Sequence, residues 1–258
     1  MRLREKVALV TGGSRGIGRA ISEAFAMEGA RVAINFNRNK EGSLAAMESI
    51  QSRNGQAIIV QADVSAEESV RGMIDQVISA YGGIDILVNN AGVNSPTQFM
   101  QLSPSEFRRI LEVNVLGLFY VSQAVARLMI ARGKGGSILN VSSLVAQRPF
   151  VNMAHYNASK GAVSTLTQSM ALELGPYNIR VNEICPASVE TDINRAALQD
   201  PKNRKRRLET IPLGRIGQPQ DLAGAAVFLC SDDASWVTGA SLVTDGGLGV
   251  IPPLGRPS

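Results

Sequence analysis

Cysteine and histidine are nearly absent from this 258-residue chain, which has two cysteines, Cys185 and Cys230, and one histidine, His155. Two isolated cysteines in apolar surroundings predict reduced core thiols, not a bridge or a metal pair. A single histidine leaves a histidine-based zinc site without its ligands, and no metal is expected. No apolar run approaches ~18 residues, so no membrane-spanning helix and no membrane partner are expected. The N-terminus passes straight into Val7-Ala8-Leu9-Val10, a run too short for a secretory signal. Together these absences predict a cytoplasmic protein. Linkers, repeats and low-complexity segments are also lacking. Charge is modest at +4, and nothing in that balance calls for nucleic acid. The one dense cationic run, Lys202-Asn203-Arg204-Lys205-Arg206-Arg207, predicts a solvated helix face. The alternative is that it steers an anionic substrate or carrier toward a nearby site.

What is present is an ordinary core composition, 45% hydrophobic and 19% charged, and a regular alternation. Short β-branched runs predict strands over 7–10, 31–36, 57–61, 84–89, 136–141, 179–184 and 241–245. Apolar residues at helical spacing predict helices over 16–28, 40–53, 66–81, 103–133, 154–175 and 219–230. Such alternation implies right-handed βαβ units and a parallel sheet covered on both faces. The expected fold is α/β: a single doubly wound domain of Rossmann type over 1–258, with seven parallel strands. The least regular stretch, 189–217, follows strand six directly, where a substrate lid would sit.

Tyr156-Asn157-Ala158-Ser159-Lys160 places a phenol and an ammonium four residues apart. On a helix both side chains leave the same face. Neither group is a good base at neutral pH, with free pKa values near ~10 and ~10.4. A cation beside the phenol favours the phenolate, so the pair is expected to give an acid/base tyrosine with a lowered pKa. After strand one comes Thr11-Gly12-Gly13-Ser14-Arg15-Gly16-Ile17-Gly18, leading into a helix. Glycines there allow positive φ and close backbone approach, and the helix N-terminus favours a pyrophosphate.

The spacing Thr-Gly-x-x-x-Gly-x-Gly resembles the short-chain dehydrogenase/reductase family. The likeness runs the length of the chain: Asp63-Val64, Asn89-Asn90-Ala91-Gly92, Asn114, Ser142-Ser143, Tyr156-x-x-x-Lys160, Arg180-Val181-Asn182, Pro186, Thr191 and Asp245-Gly246-Gly247 follow in order. The resemblance implies a nicotinamide cofactor held by Gly12, Ser14, Arg15, Gly16, Ile17 and Gly18 at the turn. Asn37, Arg38, Asp63 and Val64 would flank the adenosine, and Asn90, Ala91 and Gly92 would follow strand four. Tyr156, Lys160, Pro186, Ala187, Val189 and Thr191 would lie beside the nicotinamide. It implies that Tyr156 passes the proton and that Lys160 lowers its pKa and binds the ribose. Ser143, thirteen residues before the tyrosine, would hold the substrate oxygen in preference to Ser142. Asn114 would anchor a water that relays protons from Lys160.

Members that use NAD commonly carry an acid after strand two; this chain has Phe36, with Arg38 beyond it and Arg15 in the turn. Two guanidinium groups suit a 2′-phosphate, so NADP(H) is favoured, with NAD(H) possible. The expected activity interconverts a ketone or aldehyde and an alcohol. Candidate substrates are small ketones, aldoses such as glucose, and 3-oxoacyl thioesters. A non-catalytic nucleotide-sensing protein is the other class, and it would be expected to lose the Tyr, Lys or Ser that this chain keeps. Ala187 replaces the usual glycine after Pro186 and is expected to crowd the backbone there or demand a shifted φ. His155 either packs inside or, with Ser143 and Ala187, lines the substrate pocket. The family is commonly tetrameric, so a homotetramer is expected. The apolar tail 248–258 would then dock on a neighbouring subunit.

Overall fold

The computed structural model describes residues 1–191 and 199–250. Seven parallel strands form one sheet in the order β3-β2-β1-β4-β5-β6-β7. They are β1 (Val7–Val10), β2 (Arg31–Phe36), β3 (Gln56–Gln61), β4 (Ile86–Asn89), β5 (Gly136–Val141), β6 (Ile179–Pro186) and β7 (Ser241–Thr244). The helices are α1 (Gly16–Met27), α2 (Lys40–Gln51), α3 (Glu67–Tyr81), α4 (Pro104–Leu111), α5 (Gly117–Arg132), α6 (Ala154–Leu174), α7 (Pro201–Thr210) and α8 (Ala223–Cys230). The strand order reverses between β1 and β4. That opens a crevice beyond their carboxyl ends, the usual place for a ligand in such sheets.

Strand periodicity divides the core in two. In β1, Ala8 and Val10 face the side where Ile21, Phe25, Ile50 and Val227 pack. Val7 and Leu9 face the other side, against Met73, Val77, Val125 and Met129. Each large side chain buried this way contributes roughly 1.5–3 kcal/mol. Helix ends follow local chemistry. Asn39 caps α2 by accepting from Gly42 N, and Ser103 caps α4 with Pro104 behind it. Gly82 and Gly133 end α3 and α5 in the left-handed conformation.

Two expectations need revision. β4 begins at Ile86, not at 84, because Asp85 ends the approach by accepting from Val7 N at 2.8 Å through its carboxylate. The helical stretch 103–133 is broken by a π turn at Glu112–Leu116, which carries Asn114 inward to 2% exposure. The helical run Pro104–Arg132 is also apolar and long enough to cross a membrane by composition. Its apolar residues Leu118, Val121, Val125 and Met129 are instead spent on the core. The basic run forms α7, and residues 202–206 on it are exposed. Cys185 and Cys230 are buried and unpaired, and burial pushes their thiols up to about 11 and about 12. Residues 192–198 of the expected lid and 251–258 of the expected tail lie outside the described residues. Leu248, at the start of that tail, packs with Leu208, Ile211 and Ile216 of its own chain.

Candidate active site

The turn after β1 is held from three sides. Thr11 Oγ1 accepts from Asn90 N at 3.0 Å and Ala91 N at 3.1 Å. Asn90 Nδ2 donates to the carbonyls of Thr11 and Gly12, each at 3.0 Å. Asn35 Oδ1 accepts from Gly12 N at 3.2 Å, while its Nδ2 reaches Ala62 O at 3.1 Å. Gly12 and Gly16 have φ of +62° and +53°, which glycine adopts without a Cβ penalty. A Cβ on Gly18 would stand 2.4 Å from Asn90 Nδ2 and 2.5 Å from Gly12 O. Asn35 was missed by sequence reading; its only signal is an amide inside the apolar run of β2.

The first turn of α1 has no side-chain cap and no acidic residue, so its N–H groups are left for an anion. Ser14 is buried, Ile17 is half-buried, and Arg15 stands exposed at the N-cap. The backbone of Ser14 lies against the N-terminal turn of α2, where a Cβ on Gly42 would be 2.9 Å from Ser14 O. This contact brings the Arg15 turn and the loop carrying Asn37 and Arg38, both exposed, onto one shelf. Phe36 is buried beneath it. Asn37 Nδ2 donates to Asp63 Oδ2 at 2.9 Å, and Asp63 Oδ1 accepts from Ser65 N and Oγ. The Ser65 hydroxyl, then the Ser65 N–H, Asn37 and Arg38, hold the Asp63 carboxyl below its usual range against the opposing effect of burial. Val64 is buried against Gly117, and Gly92 lies beside Asn114. These residues fit a dinucleotide: a bare helix N-terminus, a backbone that tolerates no Cβ, and cations beyond the end of β2.

At the other end of the crevice, Ser143 follows β5. Its Oγ donates to Pro186 O at 3.3 Å and accepts from Val145 N at 3.3 Å, and the hydroxyl lies near enough to the Tyr156 phenol to draw its pKa down. Ser142 turns away, toward Lys160 O and Ser164 Oγ. Lys160 Nζ donates to Val141 O at 2.7 Å and stands 5.6 Å from the centre of the Tyr156 ring. The expected lowering of the phenol pKa does not appear in this geometry. Burial pushes Tyr156 up to about 12, opposed by the Ser143 hydrogen bond. Burial also brings Lys160 down to about 8, against the pull of Cys185 and the buried Glu183. Desolvation outweighs the neighbouring cation because the ammonium spends its short contact on a carbonyl. Glu183, an acid inside the apolar run of β6, was another missed residue.

Asn114 is fully engaged with protein. Its Oδ1 accepts from Val93 N at 2.8 Å, and its Nδ2 donates to Val93 O at 3.0 Å and Ser159 Oγ at 3.1 Å. It thus ties the loop after β4 to α6, the helix that carries Tyr156 and Lys160. His155 is completely buried. Its Nε2 lies 3.0 Å from Ser95 O and 3.4 Å from Ser95 Oγ. Ser95 also donates to Glu106, and Arg109 clamps Glu106 with two bonds of 2.8 Å. That clamp, then the Ser95 hydroxyl, lowers Glu106 to about 2. The structure therefore turns His155 against the 93–97 loop. Ala187 is half-buried and is not among the non-glycine residues with positive φ in the described chain, so the added methyl demands no left-handed backbone. Val189 is buried and pairs with Gly217 in an isolated bridge, and Thr191 lies against Gly16. A cavity of about 280 Å³ opens beside Gly16, Glu190, Thr191 and Gln218. A larger one, about 850 Å³, lies at the amino ends of the strands among Lys6, Tyr81, Asp85 and Lys134, and none of these site residues lines it.

Residues 12–249 match the protein family described as enoyl-(acyl carrier protein) reductase. The chain is 42% identical over 251 residues to an L-rhamnose 1-dehydrogenase (NAD(P)(+)) of Azotobacter vinelandii, covering 96% of this chain and 98% of that one. It is 41% identical over 247 residues to the 7α-hydroxysteroid dehydrogenase of Escherichia coli K12, covering 96% and 95%. A crystal structure of a gluconate 5-dehydrogenase from Burkholderia cenocepacia, in complex with NADP and tartrate, superposes with a TM-score of 0.91. That match covers 97% of this chain and 98% of the other at 37% identity.

Proposed function

The chain belongs to the short-chain dehydrogenase/reductase family and is an oxidoreductase of alcohol and carbonyl groups; from that premise we propose that it uses NADP(H) on a small polyhydroxylated substrate, with Tyr156 as the acid/base. The observation that carries this reading is the buried Lys160, 5.6 Å from the Tyr156 ring, with the Ser143 hydroxyl beside that phenol at the carboxyl ends of β5 and β6. Gly12, Gly16, Gly18 and the bare N-terminus of α1 would hold the pyrophosphate of the cofactor. Arg15 and Arg38 would take the 2′-phosphate, with Phe36 buried where an acid would repel it. Bound there, the nicotinamide would supply or accept the hydride. The choice of a polyol is supported by the rhamnose and gluconate enzymes among the relatives.

In the reducing direction the protein's part is to receive negative charge on an oxygen. Ser143 Oγ and the Tyr156 hydroxyl donate to the carbonyl and stabilise the charge that develops on it. A phenol held at about 12 is protonated at neutral pH and ready to act as an acid. The Lys160 ammonium, still charged below about 8, stabilises the phenolate left behind. Asn114 holds α6 and the loop after β4 together, so the three groups keep their places.

Turnover of NADPH and NADH over a panel of aldoses, aldonates and ketones tests the reading, with faster NADPH turnover expected. Tyr156→Phe should lower kcat by ~10²–10⁴, the usual reach of a general acid, and change NADPH affinity little. Undiminished turnover by this variant would remove Tyr156 from the role.

A further inference from the structure

Resting on that reading, we infer that the substrate carries a carboxylate and that Arg207 receives it. Five cations lie in the basic run of α7, and four of them, Lys202, Arg204, Lys205 and Arg206, are exposed. Arg204 points to Glu190, 3.7 Å away. Arg207 alone is half-buried, turned to the inner side of the helix next to Leu208, which packs on Ile211 and Ile216. Its Nη1 donates to Ser188 Oγ at 3.0 Å. Among the described residues this is the only polar contact of the guanidinium, and no carboxylate pairs with it.

The position of Ser188 gives that contact its meaning. Ser188 is 7% exposed and lies two residues past Pro186, whose carbonyl accepts from the catalytic Ser143 Oγ at 3.3 Å. Val189 N donates to Ala187 O at 3.1 Å, so the chain turns at Ser188 and the two residues span less than the ~7 Å of extended backbone. Arg207 is therefore anchored on the short turn that follows the Pro186 carbonyl, with Ala187 between Ser188 and that carbonyl in sequence. A guanidinium has five N–H donors, and among the described residues one is used, on a neutral hydroxyl. Drawing a charge half out of water without a counter-ion is unfavourable, and an anionic ligand would restore the balance. The charge match selects the anion. One planar guanidinium suits one planar carboxylate in a bidentate pair. A phosphate dianion calls for a second inward cation, and the neighbouring cations of α7 face solvent or Glu190.

The test compares kcat/KM for D-gluconate, for the neutral polyol D-glucitol of equal chain length, and for glucose 6-phosphate. The wild-type enzyme should prefer gluconate to glucitol by tenfold or more. Arg207→Gln should reduce that ratio at least tenfold, acting mainly through KM for gluconate, and Arg207→Lys should recover part of it. Lys205→Gln, which removes a nearby exposed charge, should leave the ratio where it was. An equal loss in both Arg207→Gln and Lys205→Gln would mean general steering and would overturn the assignment. Preference for glucose 6-phosphate would overturn the carboxylate. Turnover of neutral polyols with no acid preference would sink this inference and leave the proposed function standing. If none of the three is turned over, thermal stabilisation of the NADPH complex by gluconate decides. Stabilisation lost in Arg207→Gln supports the site, and stabilisation equal in both proteins, or absent in both, overturns it.

Discussion

The two ends of the crevice are built from different materials. The glycine turn is almost wholly backbone: 12–18 in one short stretch, fastened by Thr11, Asn35 and Asn90. The other end is assembled from four separate segments, reaching from the loop after β4 through Ser143 and α6 to β6. The first needs room and free N–H groups, so it depends on atoms that are missing. The second needs charges and hydroxyls at set distances, so it depends on what each side chain touches. Substitutions should consequently fail in different ways at the two ends.

The largest contrast is expected at Lys160. The ammonium is charged below about 8 and neutral above, and only the charged form stabilises a phenolate. Carbonyl reduction should hold level below that pH and fall above it. Lys160→Met should lower kcat by ~10²–10³ and remove that falling limb, as read from a pH–rate profile. A limb at the same pH in Lys160→Met would assign the titration to another group.

Gly18→Ala tests the backbone end. The new Cβ would meet Gly12 O and Asn90 Nδ2 at 2.5 and 2.4 Å, and overpacking of this kind costs about 1–3 kcal/mol. A loss of NADPH affinity of about tenfold to a hundredfold is expected by fluorescence titration, along with a lower melting temperature. Gly72→Ala, with nothing within 4 Å of its Cβ, should change neither. Full NADPH affinity in Gly18→Ala would show that the turn does not hold the pyrophosphate.

The smallest effect is expected at Arg38, an exposed side chain on the same shelf as Arg15. Arg38→Ala should reduce the preference for NADPH over NADH by about tenfold, the worth of one charge-assisted hydrogen bond of about 1.5 kcal/mol. An unchanged cofactor ratio would move phosphate recognition elsewhere.

Much of this was legible in the chain because it depends on neighbours in sequence. The alternation of strand and helix, the glycine spacing and the Tyr-x-x-x-Lys turn are local patterns. Side-chain period and helical pitch read them directly. Other features were hidden because they depend on partners far away. Nothing near Asn114 announces that a π turn will carry it to Val93 and Ser159. His155 beside the tyrosine could line a pocket or pack inside; a serine sixty residues earlier decides it. The methyl of Ala187 was expected to crowd the backbone or shift its φ, and the folded chain accommodates it without a positive φ.

The sequence by itself determined the fold, the family, and the placing of a Tyr-x-x-x-Lys turn on one helix and a glycine turn before another, since each rests on spacing within one segment. Tertiary structure alone decided that burial outweighs Lys160 at the phenol, that Asn114 is spent on protein groups, and that one arginine of six basic-run residues turns inward. Those outcomes depend on desolvation and on distances between segments, quantities that exist only once the chain has folded.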